Sequence, residues 1–285
     1  MSDDRDQSRR RSVTVRVAEE QARRNLRTRG AWDQYRAHRR RVTQLLMPEQ
    51  SDAPAGRLCV LGAGNGNDLD LAQLAAVYDE VHLVDLDAGA LDFAIEQQPK
   101  AARERIVLHG GVDVTEALAS LKPADATIDD AVAAFGKRVA LDLPAPFQAV
   151  ASVGLLTQLI DSAADAVGRE HPRLIEVVAA LRAAHLRLLA DLLAPGGRGV
   201  LVTELVSSDT FPELPRIAEE ALPEVLSQLL AERNFFTGVN PMVIKSLLES
   251  DPLREEVCHV ELTLPWRWEF VDRTYAVYAL TFMRR

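Results

Sequence analysis

Apolar residues are spaced along this chain in two rhythms, and the point where one gives way to the other divides it. Residues 1–14 are polar and charged with no period, which predicts a disordered start. From Val15 the spacing turns helical, and over 31–46 the residues Trp32, Tyr35, His38, Val42, Leu45 and Leu46 form one stripe that Pro48 ends. A loop over 49–57 follows. Short unbroken apolar runs then alternate with helix-period segments. The runs at 57–61, 81–85, 105–109, 149–153 and 199–204 read as strands buried on both faces. Helices are predicted at 68–78, 88–98, 115–121, 128–135 and 174–193, and further ones around 217–232 and 242–250. The links Pro195, Gly196 and Gly197 should end the long helix. The last runs, 257–264 with Trp266 and Trp268 and then 275–283, look like an antiparallel hairpin.

Alternation of this kind predicts an α/β fold with a doubly wound, mostly parallel seven-stranded sheet, a C-terminal antiparallel hairpin and an N-terminal helical extension. Residues 1–47 would form the extension and 48–285 the Rossmann-like domain. The stretch 113–147 is longer than a usual connection and reads as an insertion.

Composition narrows the function. Hydrophobic residues at 47% and charged residues at 26% suit a folded globular chain. No apolar run approaches the length of a membrane span and the start lacks a secretion signal, so the expected location is the cytoplasm. A net charge of −9 argues against broad nucleic-acid binding. Residues 1–41 are nevertheless rich in arginine, read as a solvated helical face or as an anion- or RNA-touching arm. Cys59 and Cys258 sit in separate apolar runs and read as buried thiols, with no metal-ligand spacing.

The chemistry concentrates in CVLGAGNGNDLDL, residues 59–71, where Gly62, Gly64 and Gly66 join a strand to a helix. Glycine permits a tight turn and lets a ligand approach the backbone, while the amides at the helix start face that ligand. The next strand ends in Asp85, whose carboxylate can accept hydrogen bonds from both hydroxyls of a ribose; the alternative is a cap, with Asp87, on the following helix. The nicotinamide fingerprint calls for glycine or alanine at its sixth position, which here is Asn67.

The G-x-G-x-G turn and the acid ending the next strand resemble the class I S-adenosylmethionine-dependent methyltransferases, over most of the chain after Arg57. The resemblance implies S-adenosylmethionine as cofactor and a site formed by Gly62, Ala63, Gly64, Asn65, Gly66, Asp85 and Leu86. It implies that Asp113, in HGGVDVT, contacts the adenine, with His109 nearby. It also implies that Ser152 and Gln158, in FQAVASVGLLTQLI, line the site beside cofactor and acceptor. The fourth strand lacks the Asn-Pro-Pro-aromatic motif of amino-directed DNA methyltransferases, which argues against DNA acceptors.

The expected activity is direct methyl transfer to a small-molecule acceptor. The alternatives are an RNA or protein acceptor held by the arginine-rich arm, or a non-catalytic protein that binds the cofactor. Glu204, ending the fifth strand, is the candidate to orient or deprotonate an acceptor, against the reading of a water-facing carboxylate. Tyr35, with Trp32, is the N-terminal candidate for substrate contact. His171 reads as a surface residue and His185 as a core histidine; Trp266 and Trp268 share one strand face and read as packing.

Overall fold

The computed structural model describes residues 18–48, 55–116 and 128–285. The expected disorder over 1–14 and most of the helix predicted at 115–121 lie outside the described residues.

Helix α1 runs over 18–28 within the described residues, and residues 32–35 form turns before α2 (Arg36–Leu46). Five parallel strands follow, with helices between them: β1 (Arg57–Leu61), α3 (Leu71–Val77), β2 (Glu80–Asp85), α4 (Ala88–Glu96), α5 (Lys100–Arg103) and β3 (Ile106–Gly110). Then come α6 (Ile128–Gly136), β4 (Phe147–Val153), α7 (Leu155–Val167), α8 (Leu174–Asp191) and β5 (Leu193–Ser207). Helices α9 (Leu222–Ala231), α10 (Pro241–Leu248) and α11 (Leu253–Glu256) lead to β6 (Val257–Leu262), β7 (Trp266–Phe270) and β8 (Arg273–Arg284).

The strand order is β3-β2-β1-β4-β5-β8-β6, with β7 also on β8. Strands β1 to β5 pair in parallel, and β8 runs antiparallel to β5, β6 and β7. The expected seven-position sheet is therefore present. Its edge arm is two strands, because Thr263 interrupts it by bonding Ala279 through both its backbone N–H and its hydroxyl oxygen. The hairpin turn is Val271 and Asp272, between paired Phe270 and Arg273.

Side-chain alternation along each strand divides the interior into two cores. Leu58 and Val60 of β1 face Val42, Leu74 and Leu91 from α2, α3 and α4. Cys59 and Leu61 face the other way, onto Leu159, Val177 and Leu189 of α7 and α8. Pro195, Gly196 and Gly197 do not separate helix from strand as expected. They fall inside β5, which begins at Leu193 opposite Phe147 and bulges before Arg198 pairs with Ala149.

Helix α2 is held by aromatic side chains. Its His38 Nδ1 accepts a hydrogen bond from Trp266 Nε1 at 3.0 Å, and its ring stacks on Trp268 with centroids 4.3 Å apart. The N-terminal stripe and the C-terminal hairpin thus meet, which places both at the edge where β1 and β4 end. Between these two strands the chain's winding reverses, the place where open α/β sheets bind ligands.

Candidate functional site

The turn after β1 is built as its glycines suggest. Gly62, Gly64 and Gly66 have φ of 73°, 48° and 69°, a region costly to other residues. Gly62 and Ala63 N–H both donate to Val84 carbonyl oxygen, which ties the turn to the end of β2. Asp85, ending that strand, accepts from Gly64 N–H and Asp87 N–H, each at 2.8 Å. It is buried, and burial pushes its carboxyl above the usual carboxylate range against the pull of those amides. The capping role belongs to Asp87, which accepts from Ala90 N–H at the start of α4.

In front of this turn lies α1. Asn25 Nδ2 donates to Asp87 Oδ2 at 3.0 Å, and Asn25 Oδ1 stands 3.2 Å from where a Cβ on Gly64 would be. Asn65 Nδ2 donates to the Asn25 carbonyl and the Thr28 hydroxyl, and Asn67 Nδ2 to the Thr28 carbonyl. Asn67, which replaces the small sixth residue of a nicotinamide fingerprint, therefore fastens the N-terminal helix to the turn.

A cavity of about 650 Å³ opens beside these contacts. Gly62, Ala63, Gly64 and Asn65 form one wall, and Gly154, Thr157 and Gln158 at the start of α7 form the next. Glu204 lies deeper, and Tyr35, Trp268, Phe270 and Tyr275 supply an aromatic side. The rings support one another: Trp268 meets Phe270 edge-to-face at 5.0 Å and Tyr35 at 5.1 Å, and Phe270 meets Tyr275 at 5.5 Å.

Glu204 is 7% exposed and accepts from the Thr157 hydroxyl at 2.6 Å. The β5–β8 register slips between Glu204 and Val206, a bulge that re-aims side chains at a strand end. Burial pushes its carboxyl upward, with the Thr157 hydrogen bond opposing. The surface-carboxylate reading of Glu204 does not hold.

Of the expected site residues, the cavity brings together Gly62, Ala63, Gly64, Asn65, Tyr35, Gln158 and Glu204. Gly66, Asp85, Leu86, Asp113 and Ser152 are not in its lining. Ser152 is a correction. It points to the α8 face, where its hydroxyl pairs with His185 Nε2 at 2.8 Å, because it shares the β4 side of Val150 rather than of Val153. Asp113 Oδ1 is engaged by Thr115 through backbone N–H and hydroxyl. His185 is the expected core histidine, its pKa pushed down to about 4 by burial, and His171 is exposed. His109 Nε2 lies 2.9 Å from His82 Nδ1. Trp32 is outside the cavity, covered on one face by the Arg39 guanidinium 3.4 Å from the ring centre.

Asn25, Thr28, Asp68 and the ring Trp268 are site residues that sequence reasoning missed or assigned to packing. Their positions come from contacts between distant segments, which no local pattern announces. Five buried polar atoms of cavity-lining residues have no hydrogen-bond partner among the described residues: Asn65 Oδ1, Asp68 Oδ1, Gln158 Oε1, Trp268 Nε1 and Arg273 Nε. Of these, Asp68 Oδ1 lies 3.2 Å from His38 Nε2. Such atoms are costly unless a ligand or water meets them.

The arginine-rich segment is largely self-neutralised where it is described. Arg24 pairs with Asp161 and Glu20, Arg27 with Asp272, Arg36 with Asp33 and Arg41 with Glu219. No helix is long and apolar enough to cross a membrane, and no metal-binding cluster occurs, among the described residues. Both cysteines are free; Cys59 is buried and Cys258 half-buried.

A scan against protein-family models matched none, and no curated protein matched the sequence. Solved structures do align with the chain. N-methyltransferase NodS from Bradyrhizobium japonicum WM9 is 13% identical, covering 86% of this chain and 95% of its own, with TM-score 0.42. The methyltransferase domain of bacterial-CtHen1-C is 14% identical over 88% and 98%, with TM-score 0.44. O-methyltransferase TomG from Streptomyces achromogenes, solved with S-adenosylmethionine, is 13% identical over 80% and 72%, with TM-score 0.37. The fold itself is read from the strand order and register above.

Proposed function

We propose that the chain is an S-adenosylmethionine-dependent methyltransferase acting on a small-molecule acceptor. The observation that carries this reading is the glycine turn at the β1/β4 reversal, tied to the β2 carboxylate through Gly64 and opening onto a cavity with a buried acid. Its volume is in the range that holds small ligands.

The residues fit the cofactor unevenly. Gly62 to Asn65 leave the backbone open to the amino-acid end of a nucleoside sulfonium, and Asn65 Oδ1 and Gln158 Oε1 can accept from its ammonium group. At the nucleoside end Asp85 is already engaged by two amides, and Asn25 occupies the space before Gly64. Asp85 can take the ribose only when Asn25 leaves Asp87. The bound cofactor supplies an activated methyl group. The protein's task is to align the acceptor and, where it carries a proton, to remove it, and Glu204 is the buried base in reach of the cavity.

A small acceptor is favoured over RNA or protein because the described arginines near the cavity mouth are occupied by acids of the same chain. Thermal melts with S-adenosylmethionine, its demethylated product and NAD test the reading, since a ligand of the native state raises the midpoint by mass action. The first two should raise it and NAD should not. A shift with NAD alone, or with none of the three, contradicts the proposal.

A further inference from the structure

The charges around the cavity do not cancel evenly. Four arginines reach its lining, and each is paired: Arg24 and Arg169 with Asp161, Arg27 with Asp272, and Arg273 with Asp209. Glu204 has no cationic side chain within ion-pair distance among the described residues, only the Thr157 hydroxyl. It shares its side of the sheet with Tyr35, Trp268 and Tyr275, and its charge bears on both tyrosines. One buried carboxylate without a cationic partner, beside a wall of aromatic rings, favours a ligand that is a donor and a cation. Only a cation offers Glu204 a countercharge: a carboxylate or phosphate ligand would oppose its ionisation, and a neutral alcohol would give it a hydrogen bond alone.

We propose that the methyl acceptor is a primary or secondary amine on an apolar body, taken up as its ammonium between the aromatic wall and Glu204. This rests on the methyltransferase reading. The ammonium gives one proton to the Glu204 carboxylate, which frees the nitrogen lone pair. That pair forms the N–C bond as the S–CH3 bond breaks and its electrons return to sulfur, leaving a thioether and a methylated ammonium. A further proton then leaves to water, together with the one held by Glu204, which restores the carboxylate. The buried position suits this exchange, because the neutral acid is the form that burial favours there.

The test is calorimetric titration of the full chain with phenethylamine and hexylamine, against 2-phenylethanol and phenylacetate, each with and without the demethylated cofactor product. At least one amine should bind ten times or more tightly than the alcohol and the carboxylate. Glu204→Gln keeps the shape and the Thr157 contact, and should erase that preference. Phe270→Leu, at a half-buried ring, should weaken the amine more than the alcohol. Alcohol or carboxylate binding as tightly as the amines overturns the proposal, as does no binding by either amine, or a preference that survives in Glu204→Gln. Should Glu204→Gln fail to fold, the Phe270→Leu comparison decides, and equal losses for amine and alcohol overturn the proposal. Product binding without amine preference defeats this inference and leaves the cofactor reading intact. Amine preference without product binding defeats the cofactor reading, and the acceptor role with it.

Discussion

The two halves of the crevice differ in how their polar groups are satisfied. On the β2 side, Asp85, Asp87 and Asp113 are occupied by backbone amides, Asn25 and Thr115, and the region is closed. On the β4 and β5 side, Gln158 Oε1 has no hydrogen bond among the described residues, and a cavity remains open around Glu204. A closed half can be complete without ligand, whereas an open half with an orphaned acceptor and a buried carboxylate lowers its free energy by binding one. Under the proposed function, the two sides would have different tasks: an exchangeable internal network where the nucleoside would go, and a preformed receptacle for the proposed acceptor.

The strongest way to break the closed half is Gly64→Val. A branched side chain at φ 48° costs about 1–2 kcal/mol in the backbone alone, and its Cβ would crowd Asn25. Cofactor binding should be lost in calorimetry, with a lowered melting midpoint. Asp85→Ala should weaken binding roughly ten- to hundredfold, the about 1.5–3 kcal/mol of a charged hydrogen bond. It also orphans the amides of Gly64 and Asp87, so the apo protein should melt earlier.

These two substitutions sit where the sequence was most legible. The turn, its strand and Asp85 follow one another within about thirty residues, and local chain geometry dictates their meeting. The doubly wound, mostly parallel sheet followed as readily, because unbroken apolar runs separated by helical segments leave few ways to wind a parallel sheet. The open half was less legible. Tyr35, Glu204 and Trp268 come from three distant segments and meet only because α2 stacks on the hairpin through His38 and Trp266. Ser152 shows how narrow the margin is, since a one-residue step along β4 exchanges the cavity side of Val153 for the core side of His185.

A smaller effect would sharpen the comparison from the closed side. Asn25→Ala removes the contact that holds α1 on Asp87, and should tighten cofactor binding by about two- to tenfold, the net value of one hydrogen bond of about 0.5–1.5 kcal/mol. Weaker binding would instead make Asn25 a ligand contact.

The smallest effect is in stability against pH. Burial raises the Glu204 carboxyl in the folded state, so the native protein holds that proton to higher pH than the unfolded chain does. Stability from this group is fully present below the unfolded value, about 4.3, and is lost as pH rises through the folded value. Tyr35, Asp68, His38, Tyr275 and Tyr278 bear on the same charge. Glu204→Gln leaves them in place and removes the titration. Melts from pH 4 upward should therefore show the variant gaining on the parent protein as pH rises, and parallel curves would place Glu204 in contact with water.

The central claim is tested most directly by a crystal structure of the chain with the demethylated cofactor product. The ligand's amino-acid end should lie against Gly62 to Asn65 with its ribose on Asp85, and Asn25 should have left Asp87. A ligand bound elsewhere, or a crevice in which Asn25 still holds Asp87 at saturating product, would contradict it.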